Sequence, residues 1–207
     1  MKKFAGIIVL LLSCLLVFPA WSAAGLAPDK LVDQTVKEVI DIIHRDEALK
    51  NGDKEKMLDL IETKILPHFN FTRMTQLAMG QHWSKASPEQ QSKLVDEFRT
   101  LLVRTYSNAL ASYQDETIKV SPIPALGDRT ETTVRTMVIQ GRGKEPIPID
   151  YSMEKAPEGW KVFDVTVAGV SLVTNYRGTF NSQVRKGGVE GLLKALSDKN
   201  KSLEGKK

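Results

Sequence analysis

Cysteine is almost missing from this chain: 207 residues contain one, Cys14, inside an apolar opening stretch. That excludes a disulfide framework, a zinc–thiolate centre and dithiol redox chemistry. Histidine is nearly as scarce, and His44, His68 and His82 share no ligand spacing, so no metal site is expected. Aromatic residues make up 7% and do not alternate with basic ones, which removes the usual stacking platform for single-stranded nucleic acid. Charge of one sign is lacking too, with 29 basic against 25 acidic residues. No nucleic-acid partner is expected on that balance. After the first 25 residues no apolar run is long enough to span a bilayer, which takes about 20 residues.

What is there begins with MKKFAGIIVLLLSCLLVFPAWSAAG. Two lysines, an apolar run from Phe4 to Phe18, then Pro19 and small residues keep the order of a secretory signal peptide. Ser22 and Ala24 suit the −3 and −1 sites, with Ala20 and Ser22 as an earlier option, so residues 1–24 are expected to be removed. Lipoprotein processing at Cys14 is disfavoured because the apolar run continues beyond it to Phe18. Cleavage would take away the single thiol and leave 27 basic and 25 acidic residues. The mature chain, residues 25–207, is long enough for one domain with a substantial core. The terminal KNKSLEGKK is expected to be a solvated tail.

The first part, about 28–113, has helical periodicity. Leu31, Val32, Thr35, Val36, Val39, Ile40 and Ile43 form one face of an amphipathic helix. Asn51-Gly52-Asp53 is expected to break it, with Asp53 capping a second helix that Pro67 ends. A short helix over Thr72–Met79 stops at Gly80. The sharpest local signal lies in Ser87 to Tyr113: Ser87, Pro88 and Gln90 form a capping box with a pre-set φ. Leu94, Phe98, Leu101, Leu102, Thr105, Ala109 and Leu110 then make a long apolar stripe.

From about 114 to 168 the period changes from 3.6 to 2. Thr117–Val120, Thr130–Gln140, Ile147–Glu154 and Gly159–Val167 are expected as four strands, joined by turns too short for parallel returns. In the last strand, alternation puts Phe163, Val165 and Val167 on one face and Trp160 and Val162 on the other. Helices should resume over about 171–199, with Ser171 as a cap. Helices, an antiparallel meander and helices again make an α+β fold.

Candidate chemistry is sparse. Asp164, between Phe163 and Val165, is an acid in apolar company; it would serve proton transfer or, more commonly, accept hydrogen bonds from a neighbouring loop. Ser171 has no Gly-x-Ser-x-Gly context, and neither Gly141/Gly143 nor Gly187-Gly188 sits in a nucleotide-binding pattern. What remains is apolar side chains in excess of polar actors, the composition of a pocket for an apolar ligand. Close-packed cores give the same composition.

Two passages carry a resemblance. FNFTRMTQLAMGQHWSKASPEQQSKLVDEFRTLLVRTYSNAL and GWKVFDVTVAGVSLVTNYRGTFNSQVRKGGVEGLLKAL resemble the MlaC (toluene-tolerance Ttg2 auxiliary) family. The matching features are Phe69, Phe71, Met79-Gly80, Trp83, Ser87-Pro88-Glu89-Gln90, Phe98, Leu102 and Tyr106, then Trp160, Asp164, Gly169-Val170-Ser171, Tyr176-Arg177, Phe180 and Gly187-Gly188. The resemblance spans nearly the whole mature chain. It implies a periplasmic carrier of a Gram-negative bacterium, without catalysis or cofactor and monomeric. Such a carrier shuttles glycerophospholipid between an outer-membrane lipoprotein–porin complex of the MlaA type and an inner-membrane ABC transporter whose substrate-binding subunit is of the MlaD type, and so maintains outer-membrane lipid asymmetry. It also implies an NTF2-like curved sheet packed on a helical part, with acyl chains between them. On that architecture Met137, Ile139, Ile149, Tyr151, Val165 and Val167 would form the wall, and Met74, Leu77, Leu102 and Tyr106 would close it. Val170, Val173 and Thr174 would lie near the mouth, with Arg177 facing a headgroup phosphate. The alternative is an NTF2-like enzyme using Asp164 or Tyr151 as acid or base on a small apolar substrate.

Overall fold

The computed structural model describes residues 25–111, 116–140 and 143–204, and of residues 108–111 the backbone alone. The expected leader, the end of the long helix at Tyr113 and the pair Gly141-Arg142 lie outside the described residues.

The first helix, α1 (Pro28–Arg45), has proline at its start and Asp29 in its first turn, both suited to a helix N-terminus. It ends earlier than Asn51-Gly52 because Asp46 turns extended and caps a second, separate helix. The Asp46 carboxylate accepts from the backbone N–H of Ala48 at 2.8 Å and of Leu49 at 3.2 Å. This opens a four-residue α2 (Glu47–Lys50). Asp53 caps α3 (Lys54–Leu60) as expected, accepting from Lys56 N at 3.0 Å. α3 does not continue as an α-helix to Pro67. It widens into a π turn over Ile61–Ile65 and then tightens into a 3₁₀ turn over Leu66–His68.

Asn70 caps α4 (Phe71–Met79), accepting from Arg73 N at 3.0 Å, and a 3₁₀ stretch (Gly80–Lys85) leads to α5 (Pro88–Ala111). The capping box of α5 forms as the sequence predicts. Gln90 N donates to Ser87 Oγ at 3.3 Å, and Ser87 N donates to Gln90 Oε1 at 2.9 Å.

The sheet is an antiparallel meander in the order β1 (Thr117–Val120), β2 (Glu131–Ile139), β3 (Ile147–Ala156), β4 (Gly159–Val167) and β5 (Val170–Ser171). The fifth strand adds to the four that the sequence predicts. A tight turn through Ala168 (φ 49°) and Gly169 (φ 83°) folds Val170 and Ser171 back on β4 before the helix begins. The last helix, α6 (Leu172–Glu204), runs past the expected end at 199 into the supposed tail, where buried Asn200 bonds Glu97 of α5, and is interrupted at Gly187-Gly188, where Gly188 takes φ 67°. Only glycine enters that region freely, and the chain uses it to break the helix into two segments.

Register decides which side chains meet α1. Val134, Tyr151 and Val165 are directly opposite one another, as are Thr136, Ile149 and Val167. A bulge at Phe163 shifts the register, so that Met153 pairs with Val162. One inserted residue reverses the phase of alternation. Trp160, Val162 and Val165 therefore share one core cluster, contrary to strict period-2 counting.

Two packing regimes result. Met74, Met79, Leu94, Phe98, Phe180 and Leu192, from α4, α5 and α6, are all at most 1% exposed. Phe98 meets Tyr176 and Phe180 edge-on, each at 5.0 Å between ring centroids. Val32 of α1 instead packs with Val134, Met153, Trp160, Val162 and Val165 of the sheet, and its neighbours Leu31 and Val36 stay partly exposed.

Candidate functional site

The amphipathic stripe of α1 does not close fully on the sheet. Between them lies an apolar cavity of about 140 Å³. Leu31, Val32, Thr35, Val36, Val39, Ile40 and Ile43 of α1 form one wall, the complete stripe read from the sequence. Ile118, Tyr151, Met153 and Val162 of the sheet form the other, and Ile65, His68 and Phe69 close one side. Phe69 is held there because its segment runs alongside β4, with a bridge to Val162 and Asn70 N donating to Val162 O at 2.8 Å.

Few polar groups reach this space. Tyr151 borders the cavity, and on the same sheet face the Thr136 hydroxyl donates to Ile149 O at 2.8 Å. Burial raises the Tyr151 pKa, so the phenol stays neutral over the physiological range. His68 is shifted the other way. Burial chiefly, and Lys161 secondarily, hold its pKa below the usual value, with Glu38 opposing. A mostly neutral imidazole keeps the cavity wall uncharged at neutral pH.

Of the residues expected to line a pocket, the structure brings Tyr151 to the cavity, with Ile149, Val165 and Val167 packed in the adjoining cluster. Met137 lies on the opposite face of β2, 38% exposed, as does Ile139 by alternation; the inner face carries Val134 and Thr136. Met74, Leu102 and Val173 are buried in the helical core, and Leu77 packs against it. Tyr106 is 38% exposed on α5, and Val170 is 57% exposed on β5. Thr174 and Arg177 are exposed on α6, where Arg177 Nε donates to Leu77 O at 3.0 Å. Met74, Leu77 and Leu102 thus pack in or against the helical core, Tyr106 stays half-exposed outside it, and the cavity lies on the side of the sheet covered by α1.

Asp164 resolves as a structural acceptor. Its carboxylate takes hydrogen bonds from Ser171 Oγ at 2.5 Å, Val173 N at 3.1 Å and its neighbour Val165 N at 2.8 Å. Ser171 Oγ in turn accepts from Thr174 N at 3.0 Å. Asp164 and Ser171 together cap α6, and neither lines the cavity. Among the described residues no cluster of His, Asp or Glu has the number of ligands to hold a metal ion.

The gap is small and apolar, and Asp164, the acid singled out in the sequence, is not among its lining residues. The chain belongs to the MlaC family: the family model, described as MlaC protein, matches residues 33–198. A phospholipid-binding protein of Ralstonia solanacearum, solved in complex with a phospholipid, superposes with a TM-score of 0.79 at 38% identity, covering 86% of this chain and 99% of that one. The intermembrane phospholipid transport system binding protein MlaC of Haemophilus influenzae is 26% identical over 189 residues, covering 88% of each chain. The toluene tolerance protein ttg2D of Pseudomonas putida is 24% identical over 196 residues, covering 94% of this chain and 86% of its own.

Proposed function

We propose that the mature chain, residues 25–207, is a periplasmic shuttle that carries glycerophospholipid with its acyl chains between α1 and the inner face of the sheet. Its docking partners on this reading are the MlaA-type complex of the outer membrane and the MlaD-type subunit of an inner-membrane ABC transporter. The observation that carries the proposal is the apolar cavity walled by the whole stripe of α1, in a chain 38% identical to a protein solved with a phospholipid.

The cavity's size adds a requirement. About 140 Å³ is close to the roughly 150 Å³ that accommodates a benzene. Acyl chains therefore enter only if α1 moves away from the sheet. Each buried methylene then contributes about 0.8 kcal/mol. Separating Leu31, Val36 and their partners offsets part of that gain, so binding stays reversible. Lipid bound at a hundredfold excess over its Kd stabilises the fold by about 2.7 kcal/mol.

The test is an organic extract and native mass spectrum of freshly purified protein, with thermal unfolding before and after delipidation. Phospholipid should co-purify with the wild type and raise its Tm, and Ile40→Trp, which fills the cavity, should remove most of the lipid. Wild-type protein free of lipid, or an unchanged Tm on delipidation, overturns the proposal.

A further inference from the structure

The rim of the cavity is polar on one side. Where α1 faces the segment 61–68, each element offers polar residues about one turn apart: Thr35 and Glu38 from α1, Lys64 and His68 from the turns. Thr35 and His68 line the cavity itself. Just beyond them Lys64 Nζ donates to Glu38 Oε1 at 2.5 Å, joining the two elements, with the side chains 41% and 52% exposed. On the opposite side, towards β1, the lining is Leu31 and Ile118.

We propose that this rim binds the polar end of a glycerophospholipid: the phosphate meets Lys64, which exchanges Glu38 for it, and the glycerol esters lie beside Thr35 and His68. The inference rests on the carrier reading and fixes the orientation of the cargo, with the headgroup leaving between α1 and the π turn. Chemistry supports the order of the groups. An ester oxygen needs a neutral donor at the edge of an apolar space, which a threonine hydroxyl and a neutral imidazole supply. A phosphate needs a cation in contact with water, and Lys64 is placed there. The half-exposed Glu38–Lys64 pair is weakly held, so replacing the carboxylate by a phosphate costs little.

The experiment compares binding of phosphatidylglycerol and of diacylglycerol with the same acyl chains to delipidated full-length mature protein. Circular dichroism melts check that each variant is folded. Lys64→Gln should weaken phosphatidylglycerol about tenfold, the scale of one charge-assisted hydrogen bond, and leave diacylglycerol unchanged. Glu38→Gln breaks the same ion pair but keeps the ammonium, and should leave phosphatidylglycerol binding equal or tighter. If both variants weaken both lipids alike, the pair is only a strap on α1 and the proposal is overturned. It is also overturned if Lys64→Gln leaves phosphatidylglycerol unaffected, or if millimolar inorganic phosphate displaces the lipid, which would mark a free-anion site. Failure of the wild type to bind either lipid is a separate outcome, because it removes the carrier reading itself and this inference with it.

Discussion

Two of the regions of hydrophobic packing among the described residues, the helical core and the contact of α1 with the sheet, are built from similar residues to opposite ends. The α4–α5–α6 core is filled: Phe98, Phe180, Met74, Met79 and Leu94 are at most 1% exposed, and the aromatic rings lock edge to face. Across the molecule, α1 lays a stripe of valines, leucine and isoleucines over the sheet and leaves a gap of about 140 Å³. Tight packing fixes a single arrangement, because every displaced methylene is felt. A gap lowers the cost of separating its walls. Rigidity in one half and compliance in the other let the same fold persist while its contents change.

The comparison can be broken most severely in the helical core. Phe98→Ala should cost about 3–5 kcal/mol, measured as loss of unfolding free energy in urea. Ile40→Ala, facing the cavity, should cost under about 2 kcal/mol, because little packed volume is lost there. Equal costs at the two positions would show that the α1 face is as tightly held as the core. Next in size is Arg73, which ties α4 to the sheet. Its guanidinium bonds Glu131 at 2.6 Å and Glu154, and lies 3.8 Å over the Phe163 ring. Glu131 and Glu154 are direct cross-strand partners. Arg73→Ala should therefore cost about 2 kcal/mol, as two carboxylates are left face to face. Arg73→Lys should recover only part of it, since one ammonium cannot reproduce the fork. Asp164→Ala, which removes the cap of α6, should cost about 1 kcal/mol and leave co-purified lipid unchanged.

The smallest effect is on pH dependence. Burial, with Tyr106 nearby, pushes the Tyr176 pKa from 10.0 up to about 12. The folded state holds that proton more tightly than the unfolded one, so its contribution is complete below pH 10 and is lost as pH rises towards 12. A Tm falling in that window, and falling less in Tyr176→Phe, is the expected result. His68 acts with the opposite sign. Its lowered pKa makes the unfolded chain the better proton acceptor, so stability drops as pH falls below about 6.5. His68→Gln should flatten that acid limb.

Much of the fold is legible in the chain because its signals are local. Ser87-Pro88-Glu89-Gln90 states where α5 begins, and the hydroxyl and amide that close its box are within three residues of each other. The α1 stripe is equally plain, but periodicity says only that Leu31 to Ile43 face something apolar. Whether that surface is a filled core or a gap depends on the register of distant strands, which no local pattern encodes. The face of β2 is misleading for a related reason. Thr132 and Thr136 interrupt the inner face and Met137 and Ile139 decorate the outer one, so hydrophobicity does not mark the buried side. In β4 the single extra residue at Phe163 reverses the count. Its role is identifiable only once Arg73 is seen stacked on its ring. The polar rim is invisible in the sequence because Thr35, Glu38, Lys64 and His68 come from two elements whose approach is set by tertiary packing.

The distance in sequence between the two walls of the cavity has a kinetic consequence. α1 precedes the other described helices in sequence, yet the strands it covers come only after α5, with Val162 in β4. Its apolar stripe must wait for most of the chain, and closing so large a loop is slow. The helical core waits as well, because α6 follows the sheet, so both regions close only when the whole chain is present. In that interval Leu31, Val32 and Val36, which pack on the sheet, are uncovered and prone to wrong associations. The surface that makes the cavity useful in the finished protein is, for a time, its most vulnerable part.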